Sequence, residues 1–316
     1  MSRCCPVCSV AGDGTHLLTT RGTAVHACSG CGLEFVHPLP EAAALEALYQ
    51  ADYYAAWGGD AWESVVRKQK KAYFRPHLER IQRIFPQKGC LLDVGAARGE
   101  WVELLLSEGW KATGLERSAD AVQAAQPYVG PGTMLHATLE ESLLPPASFH
   151  VITLFDLLEH VPHPGAALDQ LHDLLTPGGL LYLVTPDADS FSRRWMGSQW
   201  WHFKREHLYY FTPELLTRLL EQKGFRILDG GHNWKTLSLA YLLRQLTAFE
   251  IRWLSGMTGV AARLLPRFIQ SLRLTLPSGE FFLLAIKHPA AGSGSGCSAE
   301  PSHLSADREQ PSIGPV

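Results

Sequence analysis

The segment from Cys90 to Glu116 constrains the fold more than any other part of the chain. It reads C-L-L-D-V-G-A-A-R-G-E, continues through a helical stretch, and closes with K-A-T-G-L-E. This order predicts a strand, a glycine loop, a helix and a second strand, with Asp93 and Glu116 at the two strand ends. Gly95 and Gly99 allow the backbone between them to approach a ligand, and a terminal carboxylate suits the hydroxyls of a ribose. The pattern therefore predicts an α/β sheet that binds a nucleoside.

The spacing of the glycine loop separates two kinds of nucleoside cofactor. A dinucleotide site uses G-x-G-x-x-G, but from Gly95 the second and third glycine positions fall on Ala97 and Glu100. A charged Glu100 suits the close-packed third position poorly. The spacing D-x-G-x-x-x-G instead resembles motif I of the class I S-adenosylmethionine (SAM) dependent methyltransferases, whose central position is usually glycine. Because alanine disfavours positive φ, we expect a right-handed or slightly adjusted backbone at Ala97.

Three further segments strengthen the resemblance to these methyltransferases. They are S-F-H-V-I-T-L-F-D-L-L-E-H-V-P-H-P at 148–164, L-T-P-G-G-L-L-Y-L-V-T-P-D at 175–187, and H-L-Y-Y-F-T-P-E-L-L-T-R-L-L-E-Q-K-G-F at 207–225. The first is similar to the family's fourth strand and the loop after it, although His150 replaces a common aspartate. The last is similar to a segment of one bacterial branch that often carries an N-terminal zinc ribbon. The resemblance covers roughly residues 5 to 232 and a final strand.

Alternating strands and helices predict a Rossmann-like, mostly parallel sheet with helices on both faces, and the resemblance implies seven strands. Ligands of such sheets lie beyond the carboxyl ends of the strands. We expect Glu116 to accept hydrogen bonds from both ribose hydroxyls, and Asp93 to fix the loop, to bind the methionine ammonium or merely to cap a turn. Backbone near Thr138 and Leu139, or Glu140, would recognise adenine. The candidate cofactor-binding residues are Asp93, Gly95, Ala97, Gly99, Glu116, Arg117, Thr138, Leu139, Phe155 and Asp156.

Four cysteines near the N-terminus predict a second site. Cys5 and Cys8 form one C-x-x-C pair, and Cys28 and Cys31 form another after 19 intervening residues. This spacing is typical of zinc, and four thiolates leave no open position for catalysis, so we expect structural Zn²⁺. About 40 residues bury too little surface to fold alone, so the metal would supply much of the folding free energy. Four free cysteines or a redox pair are the alternative.

Two histidines are candidate catalytic residues. The sulfonium of SAM is already activated, so the protein mainly aligns a nucleophile with the methyl group and excludes water. A hydroxyl or an enolisable carbon also needs a base, and histidine suits neutral pH. His160 follows the predicted fourth strand, and His207 follows the fifth within W-W-H-F-K-R-E-H. Alternatively, His160 and Glu159 hold their loop through local hydrogen bonds.

The order of these features divides the chain into five parts. They are a zinc ribbon (1–40), a helical connector (41–88), a SAM-binding core (89–232) with an acceptor lid near 190–210, a helical insertion with the last strand (233–290), and a disordered tail (291–316). Residues 233–277 are apolar, with six Lys or Arg against the single acid Glu250. This part could cover the acceptor pocket, form a dimer surface or contact a membrane peripherally.

Composition narrows the function further. A formal net charge of −3 argues against a dedicated nucleic-acid binder, and we expect no nucleic-acid partner. We detect neither a signal sequence nor a membrane span, and we expect a cytoplasmic protein. The favoured function is methylation of a small-molecule or carbohydrate-type acceptor at oxygen or carbon. The alternative is a non-catalytic SAM- or nucleotide-binding interaction module with a zinc ribbon; the oligomeric state is left open.

Overall fold

Two β-sheets organise the protein in the computed structural model, which describes residues 4–41, 44–45, 63–238 and 273–288. The smaller sheet is antiparallel and has the strand order β1-β2-β3-β9. Its strands are β1 (Thr15–Thr20), β2 (Thr23–Ala27), β3 (Glu34–His37) and β9 (Tyr209–Tyr210). The first three strands come from the cysteine-rich N-terminal region, and the fourth comes from the predicted acceptor lid.

The larger sheet has seven strands in the order β10-β11-β8-β7-β4-β5-β6. Strands β4 to β8 are parallel, whereas β10 and β11 are antiparallel to their neighbours. The elements are α1 (Glu63–Ile84), β4 (Cys90–Val94), α2 (Glu100–Ser107), β5 (Lys111–Glu116), α3 (Ala119–Val129), β6 (Met134–His136), β7 (Phe149–Phe155), α4 (Pro164–Leu174), β8 (Leu175–Pro186), α5 (Phe191–Met196), α6 (Pro213–Gln222), β10 (Phe225–Ser238) and β11 (Arg273–Lys287). The predicted mostly parallel seven-stranded sheet is therefore confirmed.

Successive side chains of the central strands enter two different cores. Leu91 and Val151 pack with α1, α2 and α3, while their neighbours Leu92 and Ile152 pack with α4 and α6 on the other face. This alternation follows from the two-residue period of a strand, so a sheet covered on both faces needs continuous apolar strands. The apolar runs of β4 and β7 satisfy this requirement.

The strand order reverses beside β4, which lies between β5 and β7. Chain connections leave the carboxyl ends of β4 and β7 in opposite directions at this point, and the resulting crevice is where open α/β sheets bind ligands. The loop between β4 and α2 and the loop after β7 both start at this edge. The fold therefore places the predicted glycine loop and His160 at the same crevice.

Residues 233–277 were expected to form helices, and the described part of this range contradicts that expectation. Residues 233–238 belong to β10 and residues 273–277 belong to β11, so a domain boundary at 232 would cut through a strand. The two strands pair along their length, and β11 also pairs with β8, which adds two strands to the sheet. The described residues leave out 42–43 and 46–62 of the connector, residues 239–272 and the tail at 291–316. None of the helices in the described ranges is long and apolar enough to cross a membrane.

The central core should respond strongly to truncation. Leu181 of β8 is fully buried, whereas Leu143 is fully exposed. Leu181→Ala should lower the free energy of unfolding by about 2–5 kcal/mol, because it removes buried methyl groups and leaves a cavity. Leu143→Ala, the same chemical change on the surface, should alter it by less than about 0.5 kcal/mol. Urea denaturation of both variants checks this, and equal effects would contradict the described core.

Candidate active site

The glycine loop between β4 and α2 contains three residues with positive φ. Gly95, Ala97 and Gly99 have φ of 76°, 47° and 72°. The expectation of a right-handed backbone at Ala97 was therefore wrong. Left-handed backbone is costly for a residue with a Cβ, and it persists only where surrounding contacts impose it. Here the Ala97 amide donates a hydrogen bond to Glu116 Oε2 at 2.9 Å, which holds the loop in this conformation.

Glu116 lies buried at the end of β5 and links two backbone segments. Its Oε2 accepts from the amide of Ala97, and its Oε1 accepts from the amide of Ser118, each at 2.9 Å. Both carboxylate oxygens therefore bond to the backbone, which fixes the Glu116 side chain at the crevice.

Asp93 lies beneath the glycine loop and is buried within the sheet. Thr153 of the neighbouring strand donates its hydroxyl to Asp93 Oδ1 at 2.7 Å, and Trp101 Nε1 donates to the same hydroxyl at 3.0 Å. Burial raises the pKa of Asp93 to about 8, and the nearby carboxylates of Glu116 and Glu100 act in the same direction. A positive group placed beside Asp93 would favour its ionised form.

Two of the backbone groups near the expected adenine contacts are engaged in local hydrogen bonds. The amide of Thr138 donates to Glu141 Oε2 at 3.1 Å. The carbonyl of Leu139 accepts from Gln170 at 2.6 Å and from Ser142 at 2.8 Å. These bonds build a turn after β6, and neither of these two groups is presented to a ligand without rearrangement.

The remaining predicted cofactor residues are divided between the crevice and the core. The ring of Phe155 packs against Phe74 and Trp101, with ring centroids 4.9 and 5.3 Å apart, so its side chain belongs to the interface with α1 and α2. Asp156, the next residue, is exposed at the crevice with a φ of 51°. Non-glycine residues in this conformation concentrate at functional sites. Arg117 is exposed beside the end of β5.

His160 and His207 lie together, but their rings have different surroundings. The ring centroids are 4.6 Å apart and the rings are nearly perpendicular. Burial lowers the pKa of His160 to about 3, although hydrogen bonds with the backbone of Glu206 and Asp156 favour the charged form. These backbone contacts fix the His160 ring and support the structural alternative for this residue.

His207 is the better placed of the two histidines for proton transfer. It is 1% exposed, and neither ring nitrogen has a hydrogen-bond partner among the residues that the structure describes. Burial lowers its pKa well below the usual value, and the nearby charges of His160 and Lys204 act in the same direction. The ring is therefore neutral at physiological pH, and one of its nitrogens can accept a proton.

Glu159 is an acidic group beside both histidines that was expected only to support the loop. Its Oε2 accepts from the hydroxyl of Thr185 at 2.8 Å, and its Oε1 lies 3.9 Å from His160 Nε2. Within the described ranges, Oε1 has no hydrogen-bond partner. Burial raises the pKa of Glu159 to about 8, and the Asp156 carboxylate raises it further. The carboxyl is thus mainly protonated at neutral pH.

A second polar cluster, centred on Glu280, was missed by the sequence analysis. Glu280 is buried on β11 and forms an ion pair with Lys235 of β10. Its Oε2 accepts from Asn233 at 2.7 Å, and the same amide group donates to the hydroxyl of Tyr73 at 2.8 Å. His202 lies 3.9 Å from Glu280 Oε1. These residues come from four elements distant in sequence, and only the alternating polarity of β10 hinted at them.

The predicted lid is partly a packing element. Trp200 is fully buried and clusters with Phe203 and Tyr210 against Val25 and Val36 of the smaller sheet. Strand β9 also pairs with β3, so the lid is joined to the N-terminal region by backbone hydrogen bonds. Trp200, Phe203 and Tyr210 therefore anchor the lid to the smaller sheet.

The four predicted metal ligands converge at the other end of this sheet. The sulfurs of Cys5 and Cys31 are 3.6 Å apart, and those of Cys8 and Cys28 are 3.5 Å apart. All four lie within 4.8 Å of one another. Tetrahedral zinc with bonds of about 2.3 Å would place its sulfurs about 3.8 Å apart, so the donor set fits this ion.

Each cysteine pair forms a turn of the same design. The amide of Ser9 donates to the carbonyl of Cys5, and the amide of Gly32 donates to the carbonyl of Cys28, at 2.9 and 2.8 Å. Ser9 and Gly32 have φ of 59° and 79°, so the serine adopts the conformation that glycine supplies in the second turn. The two turns direct four thiols to one point, as in a small zinc ribbon.

Comparison with known proteins identifies the class of this chain. A family profile described as a methyltransferase domain matches residues 66–229, which is more than half of the chain. The chain therefore belongs to this methyltransferase-domain family. The seven-stranded sheet and the loop at its crevice are consistent with this family.

Individual relatives are similar to part of the chain. The ubiquinone biosynthesis O-methyltransferase of Xylella fastidiosa is 29% identical over 143 residues, 43% of this chain and 58% of that protein. The protein of the same name from Sodalis glossinidius is 34% identical over 113 residues, 34% of this chain and 45% of that protein. The chain spans about half the length of the curated relatives it matches.

A solved structure supports the fold alone. The SAM-dependent methyltransferase of Archaeoglobus fulgidus superposes with a TM-score of 0.51 at 18% identity, covering 76% of this chain and 100% of that one. At this level of identity, the similarity extends to the sheet and its helices and not to the acceptor.

Asp93 should make the stability of the ligand-free protein depend on pH. The pKa of Asp93 in the folded protein, about 8, is raised above the unfolded value. Its stabilising contribution to the free energy of unfolding is therefore complete below about pH 4 and is lost as the pH rises through 8. Asp93→Asn should therefore flatten the fall in unfolding free energy between pH 5 and 8. Urea denaturation at several pH values measures this slope. Exposed Asp173→Asn is the control, and an unchanged slope in Asp93→Asn would refute the assignment.

Proposed function

We propose that this enzyme transfers the methyl group of SAM to a hydroxyl oxygen of a small-molecule acceptor. The observation that carries the proposal is His207, a buried neutral imidazole at the crevice whose ring nitrogens bond to none of the described residues. Oxygen acceptors need a base of this kind, because the hydroxyl must lose its proton during transfer. The curated relatives bear the name O-methyltransferase, which is consistent with such an acceptor.

We propose that SAM binds over the loop between β4 and α2. Glu116, which the amides of Ala97 and Ser118 fix at the crevice, would accept the two ribose hydroxyls. Asp93 would support the loop and, through its negative charge, favour the methionine ammonium. Glycine suits position 95, because its φ is 76° and a Cβ there would lie 2.9 Å from the Leu157 side chain. Bound SAM supplies an activated methyl group on a sulfonium.

The protein's own residues would then perform three tasks. The lid and the loop after β7 would exclude water and hold the acceptor in line with the methyl group. His207 would accept the hydroxyl proton. His160, fixed by backbone contacts, would shape the wall of the site rather than act as a base.

We also propose that the four cysteines bind structural Zn²⁺ and that the resulting ribbon supports the lid. Its strand β3 pairs with β9, and Val36 donates its amide to the carbonyl of Leu208 at 3.0 Å. The proposed division of the chain is a ribbon at 1–40, a connector at 41–88 and a catalytic domain from 89 to 287. The catalytic domain extends to 287 because β10 and β11 complete its sheet.

A non-catalytic SAM-binding module is the second candidate. It is favoured by the engaged backbone of Thr138 and Leu139, since these groups would need rearrangement to bind adenine. The two candidates differ in one respect. Both require cofactor binding, but only an enzyme produces S-adenosylhomocysteine from SAM in the presence of an acceptor.

Glu116→Ala should weaken SAM binding at least tenfold, since two ribose hydrogen bonds to a charged acceptor are lost. Isothermal titration calorimetry with SAM measures this affinity. Exposed Glu221→Ala, a matched loss of a carboxylate on α6, should leave the affinity unchanged. Absence of SAM binding by the folded wild type would refute the proposed cofactor site.

An acceptor screen separates the enzyme from the binding module. Wild-type protein is incubated with SAM and a panel of phenols, polyols and nucleotide sugars, and S-adenosylhomocysteine is measured. We expect release with at least one hydroxyl acceptor and loss of most activity in His207→Gln. SAM binding without release by any member of the panel would favour the non-catalytic module.

Cys31→Ser should remove zinc and destabilise the N-terminal region. Elemental analysis of the purified wild type should give about one zinc per chain, because four thiolates form one closed site. Cys31→Ser should reduce this content strongly and lower the thermal midpoint. Cys90→Ser, which changes a cysteine outside the cluster, should retain the zinc. Wild-type protein that contains no zinc after metal-replete expression would contradict the proposal.

A further inference from the structure

Glu159 and His207 share an unusual property at the crevice. Each is 1% exposed, and each has side-chain atoms without a hydrogen-bond partner among the described residues. For Glu159 the atom is Oε1, while for His207 both ring nitrogens are involved. Buried polar atoms in native proteins almost always have partners, so an atom from outside these residues is expected between them.

The spacing of the two side chains defines what that atom can be. One ligand atom each from Glu159, His160 and His207 lie within 4.8 Å of one another. Glu159 Oε1 and the His207 nitrogens do not bond to each other, and two atoms up to 4.8 Å apart can both reach a single bridging oxygen at about 2.8 Å. The ring of His160 lies beside that of His207, with the two ring centroids 4.6 Å apart. The space therefore suits one oxygen atom that bonds to both groups.

The chemistry of the two groups matches a hydroxyl. A hydroxyl has one proton to donate and lone pairs that accept. Neutral His207 offers a nitrogen lone pair for the proton. The protonated carboxyl of Glu159 can donate to the oxygen from Oε1, since its Oε2 accepts from Thr185 at 2.8 Å. The Glu159 carboxyl can thus donate to the hydroxyl oxygen, and the His207 nitrogen can accept the hydroxyl proton.

Both groups are held rigidly. The amide of Leu208, next to His207, donates to the carbonyl of Glu159 at 2.8 Å, so the two residues are linked through the backbone. Val36 of the ribbon donates in turn to the carbonyl of Leu208 at 3.0 Å. A site whose walls are fixed by three separate segments can position a reacting atom.

We propose that Glu159 and His207 together bind the reacting hydroxyl oxygen of the acceptor, and that water occupies this position when no acceptor is bound. This inference rests on the proposed O-methylation and adds Glu159 to the residues that touch the acceptor. During transfer, an oxygen lone pair forms the bond to the methyl carbon while the carbon–sulfur bond breaks and its electron pair passes to sulfur. The hydroxyl proton moves to a His207 nitrogen and from there to solvent.

The test is a crystal structure of the full chain with S-adenosylhomocysteine, using bound water as the probe. We expect one oxygen at about 2.6–3.2 Å from both Glu159 Oε1 and a His207 nitrogen. It should also lie about 5 Å from the cofactor sulfur, because reacting atoms in a productive complex are about 3–3.5 Å apart and the methyl carbon intervenes.

Three results would overturn the inference. A second crystal soaked in Mn²⁺ could give an anomalous peak bonded to these residues, which would identify a metal site. A protein side chain could fill the space, or the oxygen could lie more than about 7 Å from the sulfur, beyond the reach of methyl transfer. Failure of S-adenosylhomocysteine to bind would instead count against the proposed function.

Variants provide a second, independent readout. Glu159→Leu and His207→Phe each remove one contact, and the oxygen should disappear from both structures while S-adenosylhomocysteine affinity changes less than about threefold. Glu159→Gln keeps a polar atom at this position and should retain the oxygen. Exposed His163→Phe is the matched control for His207→Phe. If Glu159→Leu does not fold, the structure of His207→Phe alone tests the inference. An oxygen that still occupies the position in the His207→Phe structure overturns it.

Discussion

The rest of the site depends on the carboxylate of Glu116. It ends β5, yet it bonds to the backbone of the loop after β4 and to the start of the segment that leads into α3. One buried group thereby ties together the two βα units that form the floor of the crevice. The positive φ of Ala97 is a consequence of this link, since the loop must turn its amide toward the carboxylate. The carboxylate proposed to bind the ribose is therefore also the group that holds the crevice together.

Local patterns in the sequence were sufficient to predict the central fold. Each of these patterns predicts the local structure of a few residues around it. They are the apolar runs of β4 and β7, the glycines at 95 and 99, and the acid at 116. The conformation of Ala97 could not be predicted, because it depends on a hydrogen bond across 19 residues of sequence. Strand β10 was missed for a similar reason. Its buried polar residue, Asn233, donates to Glu280, 47 residues later, which also pairs with Lys235.

The relation between the ribbon and the active site was likewise beyond sequence reasoning. Four cysteines at zinc spacing predict a small metal domain, but not which surface it packs against. In the structure its sheet accepts β9 as a fourth strand, two residues after His207. The N-terminal sheet therefore supports the segment that carries the proposed base, and it also covers the buried Trp200.

Hydrogen–deuterium exchange with and without S-adenosylhomocysteine tests the central claim most directly, because it reports on the backbone amides of the crevice. The account predicts slower exchange for peptides covering 93–99 and 116–118 when the cofactor product is added. Peptides from β1 and β2 of the ribbon should exchange at the same rate in both conditions. Unchanged exchange at 93–99 and 116–118, with protection confined to another part of the chain, would contradict the assignment of the SAM site.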